Sequence, residues 1–140
     1  MTVDLVTPTG TIDHAACIEL IQSTPVGRIG FVSDHGLLVL PVNHAWWEES
    51  IVFRSLEGRK LAAAAENRQV CFEVDQWDAA DRSGWSVVLQ GQAREVTDWA
   101  EKAQLEEIGL VPWDRDTWQT HWVRIDPTSI SGRTLSRRRG

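Results

Sequence analysis

Apolar and polar positions change rhythm several times along the chain, and each change predicts an element. Between Ile12 and Ser23, apolar residues at 12, 15, 16, 17, 20 and 21 recur at helical spacing, with Thr11 or Asp13 placed to cap. Thr24 and Pro25 end that helix, because the residue before proline avoids helical dihedrals. From Val26 to Ser33 the rhythm becomes two-residue: Gly27, Ile29 and Phe31 share one face, Val26, Arg28, Gly30 and Val32 the other. Asp34-His35-Gly36 reads as a hairpin turn. The apolar run Leu37 to His44 then predicts a strand buried on both faces. Pro41 should mark a bulge in it or the place where its pairing stops. Glu48, Glu49 and Ser50 form the next turn, and Ile51 to Ser55 the next strand.

Alanine-rich Gly58 to Glu66 predicts a helix. Gln69 to Trp77 alternates, with Val70, Phe72 and Val74 opposite Cys71, Glu73 and Asp75. Trp85 to Val96 is a long strand in which Gly91 marks a bulge or bend. Asp98 to Ile108 is a helix with capping-box spacing from Asp98 to Glu101 and Gly109 at its end. His121 to Ile125 forms a last full strand, and Ile130 to Arg133 a short closing segment. Residues 1–10 read as a loose lead-in and 134–140 as a basic tail. The sum is six strands and three helices in one domain over 1–140, joined early by short hairpins. That pattern favours a mainly β (α+β) antiparallel barrel over a βαβ sheet, and closure removes exposed edges.

Composition narrows the function classes. A net charge of −6 argues against non-specific nucleic-acid binding. Cys17 and Cys71 have no metal spacing and read as buried free thiols of a reducing compartment. The first ten residues lack the features of a secretory signal, and no apolar run reaches membrane-spanning length. A cytoplasmic protein is the expectation. Eight Trp beside three Phe and no Tyr are too many large rings for one small core, so several should line an interface or a pocket rim, Trp46, Trp47, Trp113, Trp118 and Trp122 among them.

The turn after Phe53 carries the distinctive chemistry. Arg54, Ser55, Gly58, Arg59 and Lys60 fall within seven residues at the mouth of an apolar hairpin. Arginine offers a fork of donors, lysine a point charge, and a following helix start adds backbone N–H groups, so the cluster suits a phosphate or another small anion. A solvated cationic turn paired with Glu57 or Glu66 is the plainer alternative. The four histidines have no ligand spacing, and no metal site is expected. No dinucleotide fingerprint and no nucleophile–base order is present, so no catalytic residue is singled out.

In order, VGRIGFV, LPVNH, IVFRSLEGRKL, VCFEVD, GWSVVLQGQAREV and ISGR resemble the pyridoxamine 5′-phosphate oxidase-like flavin-binding split barrels, above all their short actinobacterial-type members. The resemblance covers about Pro25 to Arg133. It implies a six-stranded split β-barrel with flanking helices, homodimeric, with FMN at the subunit interface. It implies that Pro41, Val42 and Asn43 run along the flavin ring, and that Arg54, Ser55, Arg59 and Lys60 hold the phosphate. Trp85 and Ser86 would approach the ring from one or the other subunit, Ile130 to Arg133 would lie near it, and His44 could face it. Hydride transfer to an unspecified small molecule is the implied activity. Pyridoxamine phosphate oxidation itself is not, because the longer oxidase's carboxy-terminal substrate residues have no counterpart here. Related barrels carry a deazaflavin coenzyme or haem, or serve as carriers without turnover. A deazaflavin's longer acidic tail would ask for a wider basic groove, which favours FMN.

Overall fold

A computed structural model gives the fold and describes residues 6–111 and 120–137. In chain order the elements are β1 (Val6–Ile12), α1 (His14–Ser23), β2 (Val26–Ser33), β3 (Gly36–Trp47), β4 (Ser50–Ser55), α2 (Gly58–Ala64), β5 (Gln69–Asp78), β6 (Ser83–Glu95), α3 (Trp99–Glu106) and β7 (His121–Arg137). All described strand pairs are antiparallel. The order β7-β4-β3-β2-β5-β6 returns to β7 and closes a ring of six strands, with β1 added outside it.

The local causes match the sequence reading at most elements. Asp13 accepts from the Ala16 N–H at 2.8 Å to start α1. Asp98 does the same for Glu101 at 2.9 Å to start α3. Trp47 and Ser50 close a two-residue hairpin whose central residues, Glu48 and Glu49, both have positive φ (48° and 58°). That is the turn whose twist suits adjoining strands. On β2, β5 and β6 the alternation sends Ile29, Phe31, Phe72, Val74 and Leu89 into the lumen. Each such burial is worth about 1.5–3 kcal/mol. Val52, Val96, Leu105 and Trp122 form a second apolar cluster outside the ring, to which α3 contributes Leu105.

Four expectations are corrected. Residues 6–12 are strand β1, not lead-in: VTPTGTI is rich in β-branched residues, and an edge strand tolerates its proline and glycine at the register shift between Pro8 and Gly10. The final strand does not stop at Ile125. β7 runs on to Arg137 and takes in both the closing segment and the start of the expected tail. Asp126-Pro127 looks like a break but is a bulge, where the register steps from Gln90↔Ser129 to Gly91↔Pro127. Cys71 is exposed, because its neighbours Val70 and Phe72 take the lumen side. The early part of β3 is not buried on both sides: Leu37 and Val39 are 81% and 66% exposed, since no described element covers that face. Pro41 meets the second of its two alternatives: it sits at no bulge, since the β2–β3 ladder passes through Arg28↔Pro41 without a shift, but it lies where β3 is no longer paired with β4.

The expected bulge at Gly91 is present. A Cβ there would lie 2.3 Å from the Asp126 carbonyl oxygen, whereas at Gly10 the nearest atom is a Thr134 hydroxyl at 3.5 Å. Gly91→Ala should therefore cost about 1–3 kcal/mol in urea unfolding, the usual penalty of forced overpacking. Gly10→Ala should stay within about 0.5 kcal/mol. Equal effects would contradict the bulge packing.

Candidate functional site

The ring is pinched at one place. β3 and β4 pair only from His44↔Phe53 to Trp47↔Ser50. Before His44, β3 keeps β2 on one edge, and no described strand pairs with its other edge. The His44 N–H donates to the Pro25 carbonyl at 3.1 Å, which sets the alternation of the ladder. By that alternation Val42 and Leu40 bond toward β2, while Val39 and Pro41 turn their backbone groups to the open edge. Pro41, which has no N–H, thus costs the β2 ladder nothing. Pro41, Val42 and Asn43 form one lip of the split. Ser55, at the end of β4, and the start of α2 form the other. The Asn43 side chain is engaged, donating to the Val111 carbonyl at 2.7 Å.

On the second lip the cationic residues part company. Ser55 is half-buried opposite His121. A Cβ on Gly58 would lie 2.6 Å from the His121 carbonyl, so the start of α2 lies flush on β7. Arg59 there is 70% exposed, with Nε 3.5 Å from Glu95 Oε1, and Glu95 also meets His121 Nδ1 at 3.2 Å. Lys60 is 86% exposed and 3.9 Å from Glu57. Surface pairs of this kind hold by about 0–1 kcal/mol, so both cations can be released to an anion.

Arg54 points the other way. Its side chain is 6% exposed and lies 2.9 Å from Glu106. Nε donates to Thr120 Oγ1 at 2.7 Å, and the guanidinium lies over Trp122, 4.7 Å from the ring centroid. Trp122 Nε1 donates to the other Glu106 oxygen at 3.0 Å. Partial burial works to raise the Glu106 carboxyl, but hydrogen bonds from Trp122 and Arg54 and the cationic charge outweigh it, and the pKa falls below the usual range. Trp122, read from sequence as interface or pocket rim, is an outer-core residue. Trp113 and Trp118 lie outside the described residues.

Trp85 and Ser86 are not beside Pro41 within one copy. They sit on β6, separated from β3 by β2 and β5. Three strand spacings are roughly 14 Å. Ile130 to Arg133 pair with β6 at Leu89 to Ser86, so they lie on that same side. His44 turns away from the split. It is buried, with Nε2 3.1 Å from the Ile21 carbonyl and its ring edge-on to Phe72 at 4.9 Å. Nε2 therefore carries the proton, Nδ1 is left without a partner, and burial pushes the imidazole pKa down.

One charged group escaped the sequence reading. Arg28, opposite Pro41, reaches Glu73 at 3.1 Å and Asp75 at 3.4 Å on the uncovered outer face. Burial, then a hydrogen bond and charge repulsion from Asp75, push the Glu73 carboxyl up to about 7, against the pull of Arg28. Alternation alone puts Glu73 and Asp75 on one face; only strand order brings Arg28 to them.

Against known proteins, the family model described as pyridoxamine 5′-phosphate oxidase matches residues 13–134. The chain belongs to that family. An FAD binding protein from Mycobacterium smegmatis is 35% identical, with TM-score 0.73, over 94% of this chain and 98% of that one. An FAD-binding protein from Mesorhizobium loti is 25% identical, with TM-score 0.72, over 96% and 100%. A Corynebacterium glutamicum structure is 29% identical, with TM-score 0.80, over 97% and 99%. The split-barrel fold of the family is thus the fold observed. Among the described residues no helix is long and apolar enough to cross a membrane.

Two outcomes follow. Arg54→Met should lower stability by about 1–3 kcal/mol in urea, because it strands the partners of a buried donor. Arg59→Ala should not lower it measurably. Glu73 gives a pH signature. Its folded pKa of about 7 lies above the ordinary 4.5, so its stabilising proton is fully held below 4.5 and lost as pH rises through 7. Glu73→Gln should gain stability over the native chain between about pH 5 and pH 8, read as the difference in urea midpoints. A pH-independent difference would contradict it.

Proposed function

We propose that the chain is a flavin oxidoreductase holding the flavin mononucleotide moiety in the split between β3 and β4. The observation that carries this reading is the split itself: an open backbone edge at Pro41 to Asn43 faces a hydroxyl and two loosely held cations. The donor set fits a phosphate monoester, with Ser55 as hydroxyl donor, Arg59 as fork and Lys60 as point charge. Arg54 is left out of the set, because Glu106 and Trp122 already hold it. The family membership and the FAD-binding neighbours support the flavin itself. A bound flavin would supply hydride transfer at its ring. The protein's share is to fix the ring along β3, neutralise the phosphate and shield one ring face.

A second copy completes the site in this reading. The outer face of β2 and β3 leaves Val32, Leu37 and Val39 open to solvent. Covering it with another copy would bring that copy's Trp85 and Ser86 to the ring, which they do not reach within one chain. The substrate is a small molecule that enters against the shielded ring.

The anchor has a direct test. Arg59→Ala with Lys60→Ala should weaken FMN binding at least about tenfold, as expected for losing charge-assisted hydrogen bonds. Riboflavin, which has no phosphate, should bind both proteins alike. Equal losses for the two ligands would show that the cluster is not the phosphate site.

A further inference from the structure

The two cations of the proposed anchor differ in what competes for them. Lys60 stands 3.9 Å from Glu57, three residues back, and both side chains are exposed. Arg59 instead meets a carboxylate that the fold holds in place. The β6–β7 ladder ends at Glu95↔Val123, and the Val96 N–H donates to the Trp122 carbonyl at 2.9 Å, which brings Glu95 beside His121 at the start of β7. Glu95 is half-buried there. Its two oxygens are divided: Oε1 lies 3.5 Å from Arg59 Nε, and Oε2 lies 3.2 Å from His121 Nδ1. An ionised carboxylate only accepts, so His121 Nδ1 carries the proton.

That division makes Glu95 a competitor for Arg59. The contact is long for a hydrogen bond, and the guanidinium is mostly exposed, so the pair is weak and can exchange. When Arg59 leaves, Glu95 is not stranded: His121 keeps one oxygen, and water reaches the other. His121 also fixes where this charge stands. Ser55 pairs opposite His121, and a Cβ on Gly58 would lie 2.6 Å from the His121 carbonyl. The residue that holds Glu95 is thus built into the same junction as the hydroxyl and the helix start of the anchor.

Resting on the flavin reading above, we infer that Glu95, fixed by His121, is the internal anion that a flavin phosphate displaces from Arg59, so that it sets how strongly the chain prefers a phosphorylated flavin to an unphosphorylated one. Glu95 is a positioning residue: it acts on the ligand through Arg59. In the free chain Arg59 rests on Glu95; in the flavin complex the guanidinium turns to the phosphate, and Glu95 keeps His121. Glu57 is exposed and more distant from its cation, and competes for Lys60 far less.

The test is equilibrium titration of the full chain with FMN and with riboflavin, read by flavin fluorescence, in Glu95→Gln, Glu57→Gln, Arg59→Ala and the double variant Glu95→Gln with Arg59→Ala. Glu95→Gln should bind FMN about two- to fivefold tighter, the worth of one weak ion pair no longer broken on binding. Riboflavin affinity should stay unchanged, which also shows that the variant is folded. Glu57→Gln should move neither ligand measurably. In the Arg59→Ala background the gain from Glu95→Gln should vanish, because the two residues act as one unit. FMN affinity unchanged or weakened in Glu95→Gln, a gain that persists without Arg59, or an equal gain in Glu57→Gln would overturn the inference. The anchor would still stand if Arg59→Ala weakens FMN and spares riboflavin. Arg59→Ala weakening both ligands alike, or neither, would overturn the anchor and this inference with it.

Discussion

Four residue pairs, His44↔Phe53 through Trp47↔Ser50, hold β3 to β4, and the character of the molecule depends on the ladder going no further. Two things end it. Pro41 brings no N–H to the open edge of β3. β4 turns at once into α2, whose Leu61 and Ala62, with Ala65 just after it, are buried against the barrel. The ring still closes, because β7 is long enough to serve several partners. One edge of it takes β6 along its whole paired length, and the other takes β4 and then β1. A barrel with a gap is therefore stable, and the gap is lined by backbone on one side and by cations on the other.

Neighbouring charges are sorted by the pleat. On β4, Arg54 and Ser55 are adjacent in sequence and face opposite ways. Arg54 is spent on the outer cluster, pinned by Glu106 and Trp122, where it links α3 to the sheet. Arg59 and Lys60 start a helix, have only loose carboxylate partners, and stay open.

Much of this was legible in the sequence. Strict alternation gave β2 and β5 and their inward residues, the alanine run gave α2, and Gly91 gave the bulge that bends β6 and β7. What failed, failed where a local signal was overridden by pairing. Pro8 and Gly10 look like loop residues until β7 offers them an edge, and Asp126-Pro127 looks like a stop until the bulge accommodates it. The apolar run of β3 looks like a core strand, but its exposure is a property of what does not cover it. The roles of Arg54 and Arg28 could not be read from spacing, since Glu106 and Glu73 lie 52 and 45 residues away from them.

The most direct measurement of the central claim is hydrogen–deuterium exchange of the chain with and without saturating flavin. The account predicts slowed exchange on both lips together, in the peptide spanning Val39 to Asn43 and in that spanning Ser55 to Leu61. Flavin binding that leaves both lips unchanged, or protects only a distant segment, would contradict it.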